Sequence, residues 1–387
     1  MVRRVLVVGE GTGPAARSVR RAGGEPVCLE VGDWQMCDAL AGAREGQADQ
    51  PLLVGRVLNA MRRLAVPSDV PVLWVQPLEN YVGVLEAIAF ERPLVGSSPQ
   101  AVRGVRDPLA LSSLPPHKGL RYPKVRSGAS LMTRAGQMLT ALLGGKGYLV
   151  KPREGYGGRG VSFWTAPQRV GRDAYLQQYI KGMPMSAVYV ADGWSAHLIG
   201  ATEHIIGDPA FGADGFRYVG NIGPVQPGDT LRQALMHLGV VLTQRFDLRG
   251  VFGVDGVMDF AGNFWPVEVN PRYTNSVEVL ERATGISVLE SVLGLSDSAT
   301  RKARTVPQGA TSVCGQAYVC ATSRVTVSAA MAEMGTFVVD VAPPGTVVEV
   351  GEPICTVQAE GRTRDACMAE LRRMAEEVRG VMRGEGG

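Results

Sequence analysis

The chain has 387 residues, 45% of them hydrophobic and 20% charged, with a formal net charge of +3. Its length calls for two or three lobes, and the composition excludes a disordered chain, a membrane span and any dense basic block for nucleic acid. Cys28, Cys37, Cys314, Cys320, Cys355 and Cys367 form no CxxC pair and the four histidines no helical metal spacing, which argues against a zinc site, a disulfide scaffold or a histidine-activated nucleophile and for a reducing cytoplasm.

The N-terminal MVRRVLVVGEG has too short an apolar run for a signal peptide and reads as a first strand. Up to residue 100, short apolar strands (VRRVLVV, EPVCLEV, VPVLWVQ, PLVGSS) alternate with helical stretches (PAARSVRRAG, NYVGVLEAIAFE), the pattern of a parallel α/β domain. The turn GEGTGPA has the outline of a dinucleotide fingerprint, with Glu30 near the place of a ribose-binding acid. Pro14, however, stands at the third small position, so a plain strand-to-helix turn within reach of a substrate is expected. Trp34 and Trp74 are expected to anchor the core or an interface.

Residues 101–147 turn rich in proline and glycine, with one helix-compatible stretch from Ala129 to Leu143, and mark a domain boundary. From 148 to 225 come strands expected to form antiparallel hairpins, followed by a long loop, GDPAFGADGFRYVGNIGP, and then a helix, TLRQALMHLGVVLTQRF. GVFGVDGVMDF and FWPVEVNPR, separated by AGN, read as adjacent strands. After Arg301 the chain is strand-rich and ends in an amphipathic helix, TRDACMAELRRMAEEVRGVMR.

Two stretches carry chemistry. In YLVKPREGYGGRGVSFW, Lys151 leaves a strand just before a proline, and EGYGGRG offers closely spaced backbone N–H groups of the kind that suit phosphate oxygens. The absence of GK[ST] excludes a P-loop. In the second stretch Asp255 and Glu268 lie on neighbouring strands, and Asn270 follows Glu268 by two, so strand alternation sends their oxygens to one face. Such a hard, oxygen-rich set suits Mg2+. Arg272 shares that face and could hold a phosphoryl group or stabilise transition-state charge. In FRYVGNIGP, Arg217, Tyr218 and Asn221 fall in a loop long enough to fold over the site, with Arg217 able to pair with a substrate carboxylate. Tyr273, Thr274 and Asn275 follow directly on the NPR segment and could contact an acyl acceptor.

In order and spacing, over roughly residues 100 to 295, Lys151, the loop Gly155 to Gly160, the hinge-like LQQYIKG and Asp255, Glu268, Asn270 and Arg272 together resemble an ATP-grasp enzyme. GMPMS and NPRYTNS are similar to segments of the carboxylate–amine ligase type, nearest to tyramine–glutamate ligase and pyrrolysine-pathway ligase-like members. The resemblance implies a mixed α/β and α+β chain in four parts: a Rossmann-like pre-ATP-grasp domain (1–105), grasp lobes A (106–180) and B (181–300), and a β-rich C-terminal extension with a terminal helix (301–387). It implies ATP between the lobes, with adenine against Gln178, Tyr179 and Ile180, and phosphates on Lys151, Gly155, Gly157, Gly158 and Gly160. Mg2+ or Mn2+ would be held by Asp255, Glu268 and Asn270, with Arg272 and Lys151 serving catalysis. The chain departs from many members at Asp107-Pro108, where they carry Asp-Lys, and Lys118 and Lys124 are the nearest replacements.

The implied reaction joins a carboxylate, such as that of glutamate, to an amine through an acylphosphate. Its partners are small molecules, with a homodimer left open and neither nucleic acid nor membrane involved. Two other readings stand beside it: a bicarbonate-using, carboxylase-like enzyme, and a nucleotide-binding scaffold that has lost turnover.

Overall fold

The computed structural model describes residues 3–30, 50–127, 147–165, 170–294, 305–306 and 312–383. The helix expected over 129–143, Trp34 and Cys37 lie outside them.

The first domain is a parallel sheet. β1 (Arg4–Gly9), β2 (Glu25–Glu30), β3 (Val72–Trp74) and β4 (Leu94–Val95) lie in the order β2-β1-β3-β4. Three helices connect them: α1 (Gly13–Arg21), α2 (Gln50–Arg63) and α3 (Val82–Glu91). β1 reads as an unbroken apolar run because both of its faces are covered. Leu6 and Val8 pack with Met61, Trp74 and Ile88, while Val5 and Val7 pack with Val19 and with Tyr273 and Leu280 from far along the chain. At the GEGTGPA turn the Thr12 N–H donates to both carboxylate oxygens of Glu30, at 2.9 and 3.2 Å. Glu30, at the place of a fingerprint's ribose-binding acid, instead caps the turn, and the expected strand-to-helix turn is what forms there.

After α4 (Pro99–Val105) comes a small antiparallel sheet of β5 (Val125–Ser127), β6 (Tyr148–Pro152), β7 (Ser162–Phe163) and β8 (Ala174–Gln178), ordered β5-β8-β6-β7. Tyr148, Trp164, Val170 and Leu176 form its core.

The body of the molecule is one antiparallel sheet of eight strands. Its members are β9 (Met183–Asp192), β10 (Ala196–Ile206), β11 (Tyr218–Val225), β12 (Arg249–Met258), β13 (Phe264–Asn270), β14 (Val313–Cys320), β16 (Val338–Val339) and β18 (Pro353–Gly361), in the order β13-β12-β9-β10-β11-β14-β18-β16. β15 (Val325–Thr326) and β17 (Val347–Val348) pair separately. α5 (Asp229–Phe246) covers one face through Leu235, Leu238 and Leu242 against Tyr189, Phe252 and Phe264. α6 (Asn275–Thr284) and α7 (Val288–Leu293) join this sheet to the first domain, and α8 (Arg364–Arg383) lays Cys367, Leu371 and Val378 over β14 and β18.

Two expectations change. The segment read as a long loop over 207–224 contains β11, held between β10 and β14. Its glycines and proline look like turn chemistry, yet a Cβ on Gly220 would stand 2.1 Å from the Gln316 carbonyl oxygen, so glycine is required by the close approach of two strands. The tail strands continue this sheet, with Asn221 paired to Gln316 and Gln316 to Gln358.

Candidate active site

The site is built on the β12–β13 hairpin. Asp255 is paired with Glu268 and Gly253 with Asn270, which puts the three oxygen-bearing side chains on one face. The register shifts between Asp255 and Gly256, a bulge that re-aims this part of the strand. Through it the Val267 carbonyl accepts a hydrogen bond of 3.0 Å from the Gln177 amide on β8, tying the small sheet to the large one. At the hairpin's far end Asp259 accepts from the N–H groups of Ala261 (2.9 Å) and Asn263 (2.8 Å) and from the Trp265 indole (2.8 Å). Burial acts to raise the Asp259 pKa, but these donors outweigh it and hold the carboxyl below its ordinary value.

Asn270 donates its amide to Asp255 Oδ2 at 2.8 Å. Arg272 donates Nε to Glu79 Oε1 at 2.7 Å, and its Nη2 lies 3.4 Å from Asn270 Oδ1. Glu79 is fully buried, so Arg272 is clamped to the first domain. Lys151 Nζ lies 3.3 Å from Gln177 Oε1 and 3.9 Å from Glu268 Oε2.

Glu79 escaped the sequence reading, and so did two further residues. Arg106, directly after α4, donates to Glu268 Oε1, to Asn80 Oδ1 at 2.8 Å and to the Gly155 carbonyl at 3.4 Å. It is the cation that reaches the cleft from beside Asp107-Pro108; Lys118 and Lys124 are exposed, and the Lys124 backbone pairs with Gln178. His204, on β10, sits with Nε2 3.7 Å from Asp255 Oδ1 and its ring edge-on to Tyr218 at 5.1 Å. The only sequence sign of Arg106 was a cation beside the departure at Asp107, and His204 gave none.

Burial would raise the Glu268 pKa, but Arg106 and Lys151 outweigh it and hold the carboxyl below its usual range. For Lys151 burial pulls down, while Tyr175 and Glu268 outweigh it, so the ammonium stays charged. Burial lowers the His204 pKa, with Asp255 opposing, which favours the neutral ring.

The glycine loop closes over these groups. Gly155, Gly157 and Gly158 line the cleft, and Gly160 does not. Gly158 has φ +75°, and a Cβ there would stand 1.9 Å from the Phe216 carbonyl oxygen, so the loop meets the 214–217 segment backbone to backbone. Tyr218 N–H donates to the Gly157 carbonyl at 3.0 Å, the Asn80 amide to the Glu154 carbonyl at 2.8 Å, and Arg159 to both Glu352 oxygens at 2.9 and 3.0 Å. Gln178, Tyr179 and Ile180 form the opposite wall, with the Tyr179 ring edge-on to Phe163 at 5.0 Å. The cleft has a volume of about 430 Å³.

Tyr218 and Thr274 also line the cleft, and Thr274 Oγ1 is buried with no hydrogen-bond partner among the described residues. Arg217 and Asn221 correct the sequence expectation. Arg217 is not in the cleft wall and donates to the Gly351 carbonyl, because alternation along the strand start turns it away from Tyr218. Asn221 is fully buried and bonds Ser276 Oγ at 2.9 Å. Tyr273 also turns inward, to Ser18 Oγ at 2.7 Å.

Among the described residues no three His, Cys, Asp or Glu side chains form a ready cage. Two carboxylates and an amide oxygen nevertheless fit Mg2+, which takes one or two carboxylates and fills its shell with phosphate oxygens and water.

A family model described as an ATP-grasp domain matches residues 120–276. No curated protein matches the chain. Among solved structures, biotin carboxylase from Campylobacter jejuni superposes with a TM-score of 0.67 at 14% identity, covering 96% of this chain and 90% of that one. Carboxyaminoimidazole ribonucleotide synthase from Aspergillus clavatus gives 0.67 at 15% identity, with 98% of each chain covered, and L-amino acid ligase from Bacillus licheniformis gives 0.64 at 14%, with 97% of each. At such identities the likeness speaks for the fold. The fold of these structures extends over nearly the whole chain, and residues 120–276, which take in the glycine loop, β8 and the carboxylate hairpin, form an ATP-grasp domain.

Proposed function

We propose that this chain is an ATP- and Mg2+-dependent ligase that joins a carboxylate to an amine through an acylphosphate, with an amino acid among its substrates. The observation that carries this reading is the convergence of Asp255, Glu268 and Asn270 on one face, with Lys151 3.9 Å from Glu268, beneath a closed glycine loop.

A carboxylate does not condense with an amine at neutral pH, because its oxygen is a poor leaving group and its charge repels nucleophiles. Attack of the carboxylate on the γ-phosphorus breaks the bond to the β-phosphate oxygen, releasing ADP and leaving an acylphosphate. The amine then forms the C–N bond, phosphate departs and the nitrogen loses its proton. The chain's part is positioning and charge. Gln178, Tyr179 and Ile180 take the base; Lys151 and the N–H groups of Gly157 and Gly158 take phosphate oxygens. Arg272, fixed by Glu79, offers its remaining N–H groups to the transferring phosphoryl group. Tyr218 and Thr274 face the acceptor, and the loop keeps water from the acylphosphate. Mg2+ or Mn2+ held by Asp255, Glu268 and Asn270 would offset phosphate charge.

The test is ADP release with Mg2+ and ATP across amino acids, amines and bicarbonate, with mass spectrometry of products. An amide product is expected, and Glu268→Gln should lower turnover by about 10²-fold or more. Undiminished turnover in that variant ends the metal assignment. A bicarbonate-dependent signal without amide points to carboxylation, and saturable ATP binding with no ADP release from any acceptor points to a scaffold.

A further inference from the structure

Resting on the reading above, the two carboxylates of the site stand in unequal surroundings. Glu268 Oε1 accepts from the Arg106 guanidinium and Oε2 lies 3.9 Å from Lys151, whereas Asp255 accepts a neutral amide from Asn270. A divalent cation reaching both carboxylates therefore meets a positive charge already seated on one of them, and like charges on one carboxylate oppose each other. Arg106 is no loose surface group: its side chain is 12% exposed. Its other nitrogen reaches Asn80 Oδ1 in the first domain and the Gly155 carbonyl at the root of the glycine loop. The Asn80 amide also holds the Glu154 carbonyl, so one guanidinium links the acid, the first domain and the loop.

We propose that Arg106 is a resident counter-cation of the metal site, which occupies Glu268 until a divalent ion displaces it and is then taken over by the phosphates of the nucleotide. A metal ion entering alone leaves a buried guanidinium without its carboxylate; one entering with a triphosphate does not. Arg106 thereby makes metal and nucleotide bind better together than apart, and the contact with Gly155 carries metal occupancy to the loop.

The test uses the full chain and reads binding rather than turnover. Mn2+ is titrated alone by electron paramagnetic resonance into the wild type, Arg106→Gln and Glu268→Gln, and a fluorescent ATP analogue is titrated in EDTA. Arg106→Gln is expected to bind Mn2+ alone about tenfold more tightly and metal-free nucleotide about tenfold more weakly. Mn2+ affinity unchanged or weakened in Arg106→Gln, with binding abolished by Glu268→Gln, overturns the counter-cation and leaves the ligase reading standing. Mn2+ binding indifferent to Glu268→Gln overturns both. Should Arg106→Gln fail to fold, the wild type decides: saturating Mn2+ without nucleotide is expected to speed amide exchange over residues 153–160, and unchanged exchange overturns the proposal.

Discussion

Arg272 and Arg217 are both guanidinium groups close to the cleft, and what separates them is the group each is tied to. Arg272 neutralises Glu79, a carboxylate with no exposure whose second oxygen has no partner among the described residues. Removing the cation leaves that charge buried and unpaired, so Arg272→Met should cost about 3–5 kcal/mol of stability, measured by urea unfolding. Replacing Glu79 with Gln in the same chain should recover part of the loss, since no buried charge then remains. Arg217→Ala removes a hydrogen bond to the Gly351 carbonyl and should leave the KM of an acceptor carboxylate unchanged. A large rise in that KM would return Arg217 to the substrate site.

At the scale of elements, the β12–β13 hairpin and the glycine loop hold the site from two sides. Asp259 fastens the hairpin turn, and Asp259→Ala should cost about 1–2 kcal/mol, the yield of a few hydrogen bonds to a charged group at a partly exposed turn. Its folded pKa lies below the unfolded value of about 3.9, so its contribution is present above that pH and is lost as pH falls through the folded value. The acid limb of an unfolding profile should accordingly be shallower in Asp259→Asn than in the wild type. On the other side, Gly158→Ala puts a methyl group where the Phe216 carbonyl stands and forces the loop open. Trypsin should then cut faster at Arg153 and Arg159, and the affinity for ATP should fall.

For the whole molecule, the C-terminal strands are part of the main sheet. β14 pairs with β11, and Phe211, Val219 and Ile222 share a core with Val357, Leu371 and Val378. A chain ended at Gly294 leaves the β11 edge unpaired and that core open, and should aggregate in size-exclusion chromatography. The same region reaches the site through the Arg159–Glu352 pair, which joins the glycine loop to the turn before β18.

Local pattern was enough for much of this protein. Alternation on β12 and β13 already set Asp255, Glu268 and Asn270 on one face, and the glycine spacing after Lys151 already marked a loop fit for phosphate, because both follow from the backbone within a few residues. The strand β11 was hidden, since Gly220 serves a close approach to β14 nearly a hundred residues later and looks like a turn without that neighbour. Arg106, His204 and Glu79 were equally hidden. Arg106 and Glu79 enter the site only when elements outside the main sheet pack against it, and His204 meets Asp255 only through the strand order β10-β9-β12; partners of these kinds leave no periodic trace along the chain.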